Sequence, residues 1–483
     1  MPARTTERTP LVGSRNANGR QTPNEAPQDS PEFLKYRKRV LVLLVSAYTA
    51  YYFCKTNLPL AIPYLEKDEG LKRTDINIVL TSGYVMYLIG KFLSGYCNDQ
   101  FGGRWTLIGG LVGSVISSIL FTLKTNVPYF AVIRASNQIF SSVGWGGCVK
   151  IVRGWYPPSQ AAHAIAIASL GETLGDAVVR LTLGSALLAG LAWQTMFLIS
   201  AAVAAAILIP SWFMPGTPED KGLEAPVEKE KEEQENMESR SIFKDGDDGI
   251  SAILKSGRVW LLSMELLVVI LVRESFASFV SSLIAAELDL SAAQASIYSA
   301  IFPAMGAVSS IGGGMLLDRA TPGRRGLIPL VSFVGLTLAL IGMWAVTPSS
   351  AGQSGSTFDA FIEAAKDSSH TDTKQIVLLI GMIGLVALFL YAPKVIIDGA
   401  FVMDLAGGAD KVGKVTAFVT GVGYIGGCLS PTVSGSLADV KGWPVAILLM
   451  AGLSGFVTLI SAVYWWADLK ELRRGDASDE ERD

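Results

Sequence analysis

The chain has 483 residues, 50% of them hydrophobic and only 17% charged, with 40 Lys and Arg against 43 Asp and Glu. A mean hydropathy of +0.39 excludes an ordinary soluble globule, and a net charge of −3 gives no reason to expect a nucleic-acid partner. The composition is that of a membrane protein.

Residues 1–36 are rich in Pro, Thr, Asn and Gln and lack an apolar core of the signal-peptide type, so they read as a disordered tail that is not cleaved. Arg4, Arg8, Arg15, Arg20, Lys35, Arg37, Lys38 and Arg39 precede the first apolar run. Basic residues beside a span stay cytosolic, which places the N-terminus in the cytosol. A spanning helix needs about 20 mostly apolar residues. Twelve such runs follow, centred near Tyr52, Tyr87, Gly113, Phe140, Leu174, Ala204, Val272, Ala304, Leu338, Leu385, Tyr424 and Leu453. They are too long and continuous for barrel strands, so the expected fold is all-α, with twelve transmembrane helices in two six-helix halves.

The expected halves are residues 37–214 and 259–470, joined by a cytosolic linker over 215–258 and followed by a cytosolic tail over 471–483. The linker holds a charge run from Glu228 to Glu238. Short connections carrying Arg104, Arg153, Arg319, Arg324, Arg325, Lys411 and Lys414 mark the cytosolic side, and a polar insertion over 348–374 falls on the other. No Asn-x-Ser/Thr acceptor occurs, so that insertion is not expected to be glycosylated.

The halves repeat each other. Gly95-Tyr96-Cys97-Asn98-Asp99 with Gly103 and Arg104 follows the second run, and Gly314-Met315-Leu316-Leu317-Asp318 with Gly323, Arg324 and Arg325 follows the eighth. Parallel repeats of this kind resemble the plan of the major facilitator superfamily, with a midplane site between the halves. Asp99 and Asp318 are expected to order cytosolic loops by pairing with nearby arginines such as Arg104 and Arg324.

Lys55 and Arg273 interrupt the first apolar run of each half. A charge at mid-bilayer costs about 2.5–3.5 kcal/mol even on the lenient insertion scale. A symmetry-matched pair facing one pocket suits a divalent oxyanion such as phosphate, which Arg grips through two parallel bonds and Lys neutralises as a point charge. In the fifth run, Glu172, Asp176 and Arg180 share one helix face at spacings of four, so Asp176 and Arg180 can neutralise each other and Glu172 is left over. Glu172 then admits two readings: a bridge to Lys55 that an anionic substrate displaces, or a proton-coupling carboxyl. Lys394 and Asp398 are also four apart and are expected to pair.

Several segments carry a family resemblance. Tyr48-Thr49-Ala50-Tyr51-Tyr52-Phe53-Cys54-Lys55-Thr56-Asn57 resembles the opening helix of the organophosphate:phosphate antiporters. Lys91-Phe92-Leu93-Ser94-Gly95, Gly144-Trp145 with Cys148 and Lys150, Pro158-Ser159-Gln160 and Tyr391-Ala392-Pro393 look most like the glucose-6-phosphate translocases of animal endoplasmic reticulum. The resemblance implies that Lys55 and Arg273 grip phosphate, and that Tyr48, Tyr52, Lys91 and Lys150 line or flank the cavity. For the tyrosines, helix packing is an equal reading. Glu172 stands where bacterial members have His, with Thr173 beside it, and Gly146-Gly147, Glu274 and Ser278-Phe279 are further departures from the family pattern.

Nothing here supports covalent chemistry. His163 and His370 are isolated, Cys54, Cys97, Cys148 and Cys428 fall singly, and no P-loop is present, so no enzyme, cofactor, metal site or ATP-driven pump is expected. The expectation is a monomeric secondary transporter exchanging a phosphorylated organic anion, a sugar phosphate or glycerol phosphate, for inorganic phosphate by alternating access. The alternatives are a proton-coupled symporter of another organic anion and a non-transporting membrane sensor. A eukaryotic internal membrane, the endoplasmic reticulum, is favoured as its location, with plasma membrane and plastid envelope as alternatives.

Overall fold

The computed structural model describes residues 30–223, 250–347, 371–406 and 409–480. The N-terminal segment through residue 29, the Glu228–Glu238 run, residues 348–370 of the insertion with His370, and the last three residues lie outside them.

Among the described residues every regular element is helical. The first half contains α1 (Pro31–Lys67), α4 (Val127–Trp155), α5 (Pro158–Leu188) and α6 (Trp193–Trp212). Between α1 and α4, the stretch Arg73–Leu120 turns at Gly102, whose φ of 75° only glycine adopts freely, and so forms two spans, α2 (73–101) and α3 (103–120). The second half contains α7 (Gly257–Leu288), α8 (Ala292–Tyr298 and Ile301–Arg319), α9 (Leu327–Val346), α10 (Thr371–Val395 to Val402–Ala406), α11 (Ala409–Ser430 to Leu437–Lys441) and α12 (Trp443–Glu480). Wider π-turns at Ile396–Phe401 and Pro431–Ser436 interrupt α10 and α11. Pro393 lies three residues before the first of these turns and Pro431 opens the second, and each lacks a backbone donor.

α1 begins inside the segment expected to be tail. Ser30 caps it by accepting from the Phe33 amide at 3.2 Å, and Pro31 sits where no N–H is required. Phe33 is 1% exposed, its ring 5.6 Å from that of Trp155, so packing against α4 extends the helix beyond the apolar run.

Length and hydropathy alone qualify seven helical stretches as membrane spans. One of them, Arg73–Leu120, holds both α2 and α3. Of the four helices left out, α1, α4 and α5 are the ones that carry Lys55, Arg134, Glu172, Asp176 and Arg180 into the interior. Their lower hydropathy is the cost of those charges.

Within the first half α1 packs on α5 and α6, and α2 and α3 pack on α4; within the second, α7 packs on α11 and α12 and α8 on α10. The halves meet through α1 with α7, α2 with α11 and α5 with α8, the last two being equivalent under the repeat. α7 is central: 89% of its most apolar window is buried, against 33% for α6, whose Leu198, Ile209 and Trp212 point outward toward lipid. Glycine permits close approach, since a Cβ on Gly426 of α11 would lie 2.0 Å from the Leu267 carbonyl of α7.

Candidate functional site

The centre of the molecule is a cluster of charges contributed by five helices. Lys55 enters from α1, and its position depends on a proline. Pro59 cannot donate to the Lys55 carbonyl four residues earlier, so that oxygen is orphaned inside the membrane. Arg134 of α4, 3% exposed, supplies the missing donor through Nη1 at 3.1 Å. The Lys55 ammonium lies over the rings of Tyr87 at 4.8 Å and Tyr52 at 5.5 Å. Among the described residues it has no carboxylate within ion-pair distance.

Arg273 of α7 is 4% exposed and sits between two acids: Nη2 binds Glu172 Oε1 of α5, and Nη1 binds Glu274 Oε1 of its own helix. Lys394 of α10 reaches the same Glu172 oxygen at 3.3 Å. Glu274 also accepts from the Tyr84 hydroxyl of α2 at 2.9 Å, and Tyr84 shares a 2.8 Å hydroxyl–hydroxyl bond with Ser278. Four formal cations, Lys55, Arg134, Arg273 and Lys394, therefore face two carboxylates, Glu172 and Glu274. The cluster retains a surplus of two positive charges. Arg273 Nε, Arg134 Nε and Thr173 Oγ1 are buried donors without a hydrogen-bond partner among the described residues. Buried donors in that condition cost about 1–3 kcal/mol each.

A second layer lies toward the turns at 68–72, 189–192 and 289–291, at the end opposite the basic loops. Asp176 accepts from Thr56 of α1 at 2.6 Å and pairs with Arg180 at 3.2 Å. Arg180 reaches on to Ser299 of α8 at 3.1 Å and the Ala277 carbonyl of α7 at 2.8 Å. Asn77 of α2 meets Ser436 of α11 at 2.8 Å. Among the described residues every hydrogen bond between the halves lies at the level of the charge cluster or in this layer, so the basic end is not bridged.

Four expectations need correction. Glu172 bridges to Arg273 and Lys394, not to Lys55, because α7 and α10 bring their cations to its carboxylate while Lys55 lies over Tyr52 and Tyr87. Lys394 and Asp398 do not pair: the π-turn beginning at Ile396 alters the helical spacing between them, and Asp398 accepts instead from Thr420 at 2.8 Å. Lys150 is exposed near the basic end of α4, bound to the Asn98 carbonyl at 2.5 Å and to Asp99 at 3.5 Å, and so sits away from the central cluster. Asp99 thus pairs with Lys150 rather than with an arginine. Arg104 instead donates to the Trp212 carbonyl at 2.5 Å, closing the end of α6. In the second copy of the repeat, Asp318 and Arg324 are both exposed, and Arg325 pairs with Asp404 at 3.6 Å.

Tyr48 packs between Tyr52 and Trp145, with ring centroids at 5.6 and 5.0 Å, and Tyr52 lies under Lys55. Lys91 stands over the Tyr87 ring at 5.3 Å and the Tyr424 ring at 5.9 Å. Thr173 is 5% exposed. Arg134 and Tyr84 were not anticipated, although a signal for Arg134 was present: it interrupts an apolar run just as Lys55 does. Tyr84 carries no such mark.

Fold and site together define a polytopic membrane protein of the two-half carrier type. The Major Facilitator Superfamily model matches residues 44–392, and the chain belongs to that family. A probable hexose phosphate transport protein of Chlamydia muridarum is 24% identical, covering 92% of this chain and 95% of its own length. The glycerol-3-phosphate transporter of Bacillus subtilis is 23% identical over 89% of this chain and 90% of its own. The membrane sensor protein UhpC of Escherichia coli is 22% identical over 90% and 94%. Among solved structures, a bacterial homologue of the human lysosomal transporter Spinster, inward-facing and unoccupied, superposes with a TM-score of 0.65 at 15% identity, covering 91% of this chain and 98% of its own. That likeness concerns the fold.

Proposed function

We propose that this chain is a secondary transporter that exchanges a phosphorylated organic anion of the sugar-phosphate or glycerol-phosphate class for inorganic phosphate by alternating access. The observation that carries the reading is the central surplus of two positive charges, with Lys55 and Arg134 supplied by one half, Arg273 and Lys394 by the other, and a buried Arg273 Nε still lacking an acceptor. A dianionic phosphoryl group neutralises that surplus and contacts both halves, so only the loaded carrier closes without net charge at its centre. Relatives named as hexose phosphate and glycerol-3-phosphate transporters support the substrate class. Their sources are bacterial, so they lend no support to the endoplasmic reticulum as its location.

The test is uptake of radiolabelled phosphate into liposomes holding purified protein and preloaded with phosphate, glucose 6-phosphate, glycerol 3-phosphate or buffer. Uptake confined to preloaded vesicles and lost in Lys55→Ala and Arg273→Ala is the expected result. Equal uptake into empty vesicles would contradict exchange. A second reading, a non-transporting sensor, is favoured by the similarity to the UhpC sensor, which matches that to the transporters. It predicts phosphate-ester binding by folded protein with no flux under any loading.

A further inference from the structure

Glu172 is placed where an anionic ligand of this site would be. Its Oε1 oxygen is shared by Arg273 of α7 and Lys394 of α10, both in the second half, while Glu172 itself belongs to the first. The Glu172 and Lys394 side chains are 14% and 15% exposed, so the pair is reachable rather than sealed. Asp176, one turn along α5, is engaged with Arg180 and Thr56 and does not compete for these cations.

We propose that Glu172 is a resident competitor that sets the charge a substrate must carry. The inference rests on the phosphate-antiport reading and deepens it. To reach Arg273 and Lys394, a ligand must displace a carboxylate already bound to both. A monocarboxylate brings the charge that it removes, so it exchanges one such contact for another and must also bear the cost of association. A phosphoryl dianion brings one charge more and three acceptor oxygens. It satisfies Arg273 and Lys394 together and meets the surplus from Lys55 and Arg134. Glu172 thus rejects singly charged organic acids and selects dianionic phosphate esters, while holding the affinity for inorganic phosphate low enough to permit release.

The isosteric change Glu172→Gln removes the competing charge and keeps the side-chain volume. The experiment titrates detergent-purified wild type and Glu172→Gln with inorganic phosphate and with lactate, read by calorimetry and by ligand-induced shift in melting temperature. The variant is expected to bind phosphate at least about tenfold more tightly and to show lactate binding that wild type lacks. Unchanged or weaker phosphate binding by a variant that still unfolds cooperatively overturns the inference and leaves the antiport reading standing. Phosphate binding by neither protein would remove the antiport reading itself, and the inference with it.

Discussion

At the scale of single residues, the chemistry of the site depends on Arg273 being an arginine. Its guanidinium serves Glu172 and Glu274 through separate nitrogens and keeps Nε in reserve, a division of donors that an ammonium cannot reproduce. Arg273→Lys is therefore expected to fold yet bind phosphate about tenfold or more weakly, measured by the same titration. Asp176 and Arg180 present the opposite case, in which both partners are buried and neither belongs to the central cluster. Removing either one leaves an uncompensated charge, costing about 3–5 kcal/mol. Asp176→Ala and Arg180→Ala should each lower thermal stability sharply, and the double variant should lose much less than the sum of the two single losses. Strict additivity in that cycle would show that the pair is not coupled.

The residues that could be read from sequence were those whose mere presence is costly. Lys55, Arg273 and Glu172 stand out because an apolar run does not retain a charge without a reason. Tyr84 could not be singled out, because a tyrosine costs nothing there and its bonds to Glu274 and Ser278 join residues 190 and 194 positions away. Arg134 could have been found by the rule that found Lys55. Its particular task, serving a carbonyl freed by Pro59, exists only once α4 lies beside α1.

At the scale of elements, the interior helices are set by how closely their backbones approach. Gly426 is one of the tightest points, where any side chain meets the Leu267 backbone carbonyl of α7. Gly426→Ala should force α11 away from α7, destabilise the protein by about 1–3 kcal/mol as overpacking does elsewhere, and reduce exchange more than Gly452→Ala. A Cβ on Gly452 meets nothing within 4 Å. Equal effects of the two changes on melting temperature would argue against a tight α7–α11 contact. The two π-turns show why helix spacing was a poor guide in α10. The i,i+4 rule that aligned Asp176 with Arg180 in a regular α-helix does not hold across Ile396–Phe401, and Lys394 is released to reach Glu172.

At the scale of the whole molecule, the halves are tied at the centre and at the end opposite the basic loops. If exchange proceeds by alternating access, the Asn77–Ser436 contact between α2 and α11 must part in each cycle. A disulfide between Asn77→Cys and Ser436→Cys, made in a background lacking Cys54, Cys97, Cys148 and Cys428, should stop exchange and release it on reduction. Undiminished exchange by fully crosslinked protein would show that this end does not open.

The amino-acid sequence by itself determined that the chain lies in a membrane, that its spans repeat as two sets of six, and that cations stand at the middle of the first span of each set. These follow from composition, run length and the cost of burying charge, which are local properties of the chain. Only the tertiary structure decided that Glu172 belongs to Arg273 and Lys394, 101 and 222 residues away, and that Lys150 binds the last turn of α2. The reason is physical. Lipid tails and protein interiors are equally apolar, so the polar stripe that orients a soluble helix is weak or missing in these spans. Their rotation, and with it the partners of each charge, is settled by contacts with neighbouring helices.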